Sequence, residues 1–161
     1  MVQHLTRFKE KAFLFYMLKC LLGAGICYSL FILFPSMPFY WSIVSVLLVL
    51  APADEEAMRF ALDRMKANII GATIGLLVFV LFSVSFISMM IGILLTIAVC
   101  TLINSGPAVR TALAALVIVL VQEGEQNNWL SAFSRMFCVC LGCFVAISLI
   151  SLFKFIRNHK F

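Results

Sequence analysis

Apolar runs of bilayer length constrain this chain more than any other feature. A bilayer core of about 30 Å is crossed by roughly 20 helical residues, and six apolar segments follow one another along the 161 residues. The first covers residues 12–34 and is interrupted only by Lys19. Pro35-Ser36-Met37-Pro38 breaks it, because proline lacks an amide hydrogen and clashes with the preceding turn. The second covers 39–51 and stops at Pro52. Residues 53–66 then carry seven charged side chains and run as one helix into a third apolar stretch, 67–82. The fourth, 86–103, is closed by Asn104-Ser105-Gly106-Pro107. The fifth, 108–121, contains Arg110, and the sixth, 129–153, contains Arg135. A basic tail from Lys154 to Lys160 ends the sequence. The expected fold is an all-α integral membrane protein with six transmembrane helices. It forms a single membrane domain over 1–161, with short basic ends at 1–11 and 154–161.

Composition removes the competing classes. Apolar residues make up 64% of the chain, against about 45–50% in ordinary soluble domains. Twelve Lys and Arg with seven Asp and Glu are too few to solvate a globular surface of this size. The net charge of +5 comes from basic residues at the ends of apolar runs rather than from a basic face, so it orients the chain in a membrane and does not suggest nucleic acid. His4 and His159 lie in the termini, and no Ser-His-Asp set or carboxylate pair sits within a span. Neither enzymatic activity nor a cofactor is expected. All six cysteines (20, 27, 100, 138, 140 and 143) lie inside apolar runs, where cysteine behaves as a small hydrophobe, so free thiols are expected. Cys138 and Cys140 point in roughly opposite directions on one helix, which argues against a metal site. The first apolar run is too long for a cleavable signal peptide and lacks a small-residue cleavage site.

Loop charges set the orientation. Arg7, Lys9 and Lys11 precede the first span, and Lys154, Arg157 and Lys160 follow the last. Arg59, Arg64 and Lys66 lie between the second and third, and Arg110 at the turn before the fifth. The connections at 35–38, 83–85 and 122–128 contain no Lys or Arg. The positive-inside rule therefore puts both termini in the cytoplasm. Asp54, Glu55 and Glu56 crowd the first turn of the charged helix, where acids complement the helix dipole. Glu55, Arg59 and Asp63 follow at i, i+4 spacing, as in a solvated salt-bridge ladder.

An offset of 71 residues superposes two halves, about 12–82 and 83–153. Ala61, Arg64, Met65 and Gly71 match Ala132, Arg135, Met136 and Gly142, and Leu81-Phe82 matches Leu152-Phe153. Three spans per half mean that the second half enters the membrane from the opposite side, an inverted-topology repeat of the kind found in many transporters. Matched short segments then point to a binding site, and residues 39–51 reach only about 20 Å at 1.5 Å per residue. Gly71 with Gly75, and Gly142 with Ala146, form small-residue pairs that let helices approach closely.

Charges at membrane depth are costly and generally functional. Arg110 follows Gly106-Pro107 at the start of a short span. The helix N-terminus and a planar guanidinium together suit a carboxylate; equally, Arg110 suits a snorkelling anchor at the inner interface. Arg64 and Arg135 are repeat partners, fitted either to attract anions at opposite faces or, in the case of Arg135, to tie to Glu123 or Glu125. Lys19, about 11 Å into the first span at 1.5 Å per residue, either snorkels or lines a pore. Tyr40 and Trp41 begin the second span, as an interfacial aromatic belt or a stacking platform for an aromatic substrate. Asp63, at the cytoplasmic rim, is the nearest acid for any proton coupling.

The run Phe39-Tyr40-Trp41 through Ala51-Pro52, then Ala61-Leu62-Asp63-Arg64, then Gly71-Ala72-Thr73-Ile74-Gly75 resembles the fusaric-acid-resistance-like superfamily. That group includes bacterial aromatic-acid exporters and the plant aluminium-activated malate channels. The resemblance implies six-helix units of inverted three-helix halves, paired two by two in the bacterial inner membrane. It also implies transport of organic anions, aromatic ones included, along a path lined by basic residues. Most members are longer and carry cytoplasmic helical domains, whereas about 8 residues follow the last span here. The second unit is therefore expected from another copy, giving a homodimer in the lipid bilayer. A non-transporting interaction subunit, regulatory or immunity-type, is the competing expectation, favoured by the small size of the chain.

Overall fold

The computed structural model describes the backbone of residues 2–82, 84–126 and 129–158, and the side chains of 13–82, 84–121 and 130–156. Every regular element among them is helical: α1 (Val2–Leu33), α2 (Tyr40–Val49), α3 (Asp54–Leu81), α4 (Phe86–Leu102), α5 (Val109–Gln126) and α6 (Trp129–Asn158). A single 3-10 turn, Gly106–Ala108, leads into α5.

The breaks fall where the backbone chemistry demands them. α1 stops at Leu33, ahead of Pro35, whose ring disfavours helical geometry in the residue before it. α2 is closed by Leu50, which turns extended (φ −64, ψ 133) as the chain approaches Pro52. α3 runs unbroken from its acidic first turn (Asp54, Glu55, Glu56) into the apolar stretch. At the start of α4, the Ser88 amide donates to Ser85 Oγ at 3.2 Å, and the Ser85 amide donates to Ser88 Oγ at 2.9 Å. This reciprocal capping box satisfies two amides that would otherwise be orphaned in an apolar setting. α4 ends through Asn104, at φ 55, a left-handed conformation that asparagine tolerates better than most residues.

Stretches within α1, α3 and α6 are long and apolar enough to cross a membrane: Phe13–Leu33, Asp54–Leu81 and Leu130–Ile156. Tyr40–Val49, Phe86–Leu102 and Gly106–Val121 are shorter apolar helices. The ten residues of α2 reach only about 15 Å at 1.5 Å per residue. Two boundaries differ from the sequence reading. α5 continues to Gln126 through the stretch expected to be a loop, because Glu and Gln are good helix formers and a charge limits membrane depth rather than helicity. α6 likewise extends into the basic tail, to Asn158.

Contacts divide the chain into two compact units. One comprises Met1–Leu62 with Leu141–Phe161, the other Asp63–Cys140. In the first, Gly23 of α1 faces Val46 and Leu50 of the α2 region and Leu149 of α6, while Gly142 of α6 lies on the backbone of Ser42 in α2. Cys27, Val49, Ala57, Ala61, Cys143 and Ala146 are buried there. In the second unit, Gly71 of α3 lies on the backbone of Ala112 in α5. Ala67, Cys100, Ala108 and Ala112 pack together beside that crossing, and Ile74, Val78, Leu116 and Leu120 pack further along it. Ala72, Val119 and Ala132 bring α6 into the same unit. Large apolar side chains such as Leu21, Leu94 and Phe144 point outward, as expected of helices whose solvent is lipid. All six cysteines are free thiols.

Candidate functional site

Lys19 occupies an unusual position. It sits inside the Phe13–Leu33 span yet is only 4% exposed, and its Nζ donates to Oδ1 of Asp54, itself 9% exposed. The same Nζ lies 5.7 Å from the ring centroid of Phe153. Phe153 in turn meets Phe15 edge-on, with centroids 6.2 Å apart and an interplanar angle of 78°. The Lys19 ammonium is therefore enclosed by protein groups. An unpaired ammonium is costly inside an apolar bundle, and a neighbouring carboxylate offsets that cost. The first turn of α3 supplies the carboxylate, and α6 supplies a ring face for a cation–π contact.

Asp54 is thus the acid held beside a buried cation, and Asp63 is half-buried on α3. The i, i+4 ladder does not close. Glu55 and Arg59 are exposed, whereas Asp54, at the head of the same helix, pairs with Lys19. Charges separated by water gain little from pairing, which leaves such ladders loose.

Arg135 is 2% exposed, and its Nη2 donates to the carbonyl of Ala115 at 3.1 Å, fastening α6 to α5 within the second unit. The side chains of Glu123 and Glu125, the partners expected from sequence, lie outside the described residues. One residue along, the carbonyl of Met136 accepts from Nδ2 of Asn68 at 3.3 Å. Sequence reasoning passed over Asn68, although a lone amide inside an apolar run is itself a sign of an interhelical partner. Arg64 on α3, which the 71-residue offset pairs with Arg135, is half-buried.

Arg110 stands apart from these buried groups. The turn through Asn104, the 3-10 segment and Pro107 deliver it to the second position of α5, exposed. The 3-10 turn already satisfies the Ala108 and Val109 amides, which donate to the Ser105 and Gly106 carbonyls, so Arg110 brings chiefly its charge and planar fork, which suit a carboxylate. Tyr40 is exposed and Trp41 half-buried at the start of α2, with rings 5.5 Å apart and tilted by 39°.

The glycines are contact points. A Cβ at Gly71 would overlap the Ala112 carbonyl oxygen and come within 2.8 Å of Ala115 Cβ. A Cβ at Gly142 would overlap the Ser42 carbonyl oxygen. At Gly75 it would press on Val119 at 3.0 Å. In the second unit a groove of about 370 Å³ runs between Ala72, Thr73 and Leu76 on α3 and Ala132, Phe133 and Met136 on α6. Its walls carry no charge, so an anion entering it would lose water without gaining a donor.

Apolar helices of spanning length, with buried Lys19 and Arg135 tied to partners on other helices, mark a membrane protein. The family model described as fusaric acid resistance protein-like matches residues 22–149, from within α1 to the later part of α6. The chain belongs to that family. Neither a curated protein nor a solved structure matches it.

Proposed function

We propose that this chain forms a transmembrane pathway for organic anions, aromatic carboxylates included, working as a homodimer in the bacterial inner membrane. Membership of the fusaric acid resistance-like family carries the reading, because it suggests a role in membrane transport. Arg110 is the entry group: exposed at the start of α5, it offers a positive charge and a planar fork that suits a carboxylate, at the positive end of the α5 dipole. Arg64 and Arg135, with Lys19, line or support the path, and Tyr40 and Trp41 border it. Two packing facts support an architecture of inverted halves. Gly71, from the first half, rests on a helix of the second, and Gly142, 71 positions on, rests on a helix of the first. The contacts of Phe15 and Lys19 with Phe153 support chain ends on one side, which the loop charges make cytoplasmic.

The test is flux of labelled benzoate in proteoliposomes. Wild-type protein should carry it, and Arg110→Ala should weaken apparent affinity. Loss of a charge-assisted contact costs about 1.5–3 kcal/mol, or on the order of ten- to a hundredfold. Arg110→Lys should fall between, keeping the charge without the fork. Wild-type vesicles that carry no organic anion would refute the reading.

A further inference from the structure

The groove between α3 and α6 has dimensions that select its occupant. It is lined from Ala72 to Leu81 on α3, about 13 Å at 1.5 Å per residue. Over that length its volume of about 370 Å³ leaves a cross-section of roughly 30 Å², a slot about 5 Å wide. A helix is about 10–12 Å across with its side chains and does not enter. A single hydrocarbon chain does, since carbon contacts at about 3.5–4.0 Å make such a chain about 4–5 Å thick. The length matches one leaflet, about half of a 30 Å hydrocarbon core, and the groove reaches Leu81, where the Asp54–Leu81 span ends. The other end is closed. One turn before Ala72, the Asn68 amide donates to the Met136 carbonyl and clasps α3 to α6. Ala72 and Ala132 pack on Val119, so α5 backs the floor. A lipid chain on a convex helix touches protein on one side; here it meets a floor and two walls. The gain is dispersion against a dense surface, because the tail only exchanges one apolar surrounding for another.

We propose that this groove seats one straight, saturated acyl chain of a phospholipid, in the leaflet at the Leu81 end of α3. The walls set the chemistry: apart from Thr73, the residues lining the groove are apolar. The connections next to its mouth, 83–85 and 122–128, contain no Lys or Arg and do contain Glu123 and Glu125. A free fatty acid brings a carboxylate to that mouth with no cation to meet it, whereas a phospholipid leaves its headgroup in the interface. The width sets the shape. A methyl branch thickens the chain and a cis double bond bends it, so neither follows a slot about 5 Å wide along its length. Leu77, Val80 and Phe133 form an exposed rim over which the chain enters from the surrounding lipid. Once seated, it completes the packing of α3 on α6 beyond the Asn68 clasp.

The test uses the full chain in nanodiscs of methyl-branched diphytanoyl phosphatidylcholine. A trace of phosphatidylcholine with a photoreactive diazirine on a straight saturated chain is the probe, and mass spectrometry maps the label. Labelling of Thr73, Leu76 and Met136 should exceed that of Leu94 and Phe144, which face lipid on open helix surfaces, by at least about fivefold. Dipalmitoyl phosphatidylcholine, added as a minor component, should remove most of that excess and leave Leu94 and Phe144 unchanged. The same amount of dioleoyl phosphatidylcholine should remove little of it. Thr73→Trp fills the groove from an exposed position, clear of the floor, and should abolish the excess in a protein that still assembles. The wild-type competition stands by itself if that variant does not assemble. Equal labelling of groove and reference residues overturns the proposal, as does equal competition by the saturated and unsaturated lipids. Palmitate that competes as well as dipalmitoyl phosphatidylcholine overturns the phospholipid assignment. Benzoate that displaces the label overturns the lipid assignment and makes the groove a substrate site.

Discussion

Replacing Gly71 by alanine adds one methyl group where α3 meets α5, and the structure states what that methyl group would strike. Its nearest neighbours are the Ala112 carbonyl oxygen, which is backbone and cannot rotate away, and Ala115 Cβ at 2.8 Å. Carbon-to-carbonyl contacts are comfortable at about 3.3–3.6 Å, so α5 has to retreat by roughly 1 Å. A radial gap of 0.5–1 Å forfeits about a quarter to a half of a dispersion contact, and that loss spreads along the crossing. It reaches Ala67 against Ala108 and Ala112, and Ile74 and Val78 against Leu116 and Leu120. Association of helices in lipid rests chiefly on such packing. We expect Gly71→Ala to cost about 2–3 kcal/mol, near the upper end for overpacking. Gly25→Ala is the matched control, since nothing lies within 4 Å of a Cβ there. Helix propensity alone predicts that Gly25→Ala is neutral or stabilising by up to about 1 kcal/mol. Unfolding in mild detergent, followed by tryptophan fluorescence with size-exclusion to score assembly, compares the two. Equal stability for both variants would refute the crossing geometry.

Three further outcomes are expected. Arg135→Ala should destabilise by about 1.5–3 kcal/mol, the scale of a hydrogen bond from a charged donor, because it removes the link to the Ala115 carbonyl; Arg135→Met keeps the packing of the stem and should fall between in the same unfolding assay. In a cysteine-free background, Met37→Cys, at an exposed site between α1 and α2, should react with an impermeant maleimide from outside the cell. Glu55→Cys, exposed at the start of α3, should react only after the membrane is opened, and the reverse pattern overturns the cytoplasmic placement of the termini. Mass measurement in mild detergents and in nanodiscs should give a dimer or a higher symmetric oligomer, and a monomer throughout would count against pairing.

The sequence alone determined where the chain breaks between most helices, because those signals are local, though not the extensions of α5 and α6 through polar ends. Pro35, Pro38, Pro52 and Pro107 forbid helical hydrogen bonding where they stand, and Asn104 accepts the left-handed turn that closes α4. A charged stretch fused to an apolar one was likewise legible as the single helix α3, since helicity depends on residues a turn apart. The glycines were legible as points of close approach but not as to what they approach. Tertiary structure alone decided that Gly71 meets Ala112 and Gly142 meets Ser42. It alone gave Lys19 its counter-ion 35 residues away in Asp54, a residue whose sequence context suggested only a dipole-complementing surface acid. It also sent Arg135 to a backbone carbonyl. The reason is physical: backbone punctuation acts within one turn, whereas a buried charge is stabilised by whichever group the packing of distant helices brings within reach, and no residue near Lys19 in sequence encodes that neighbour.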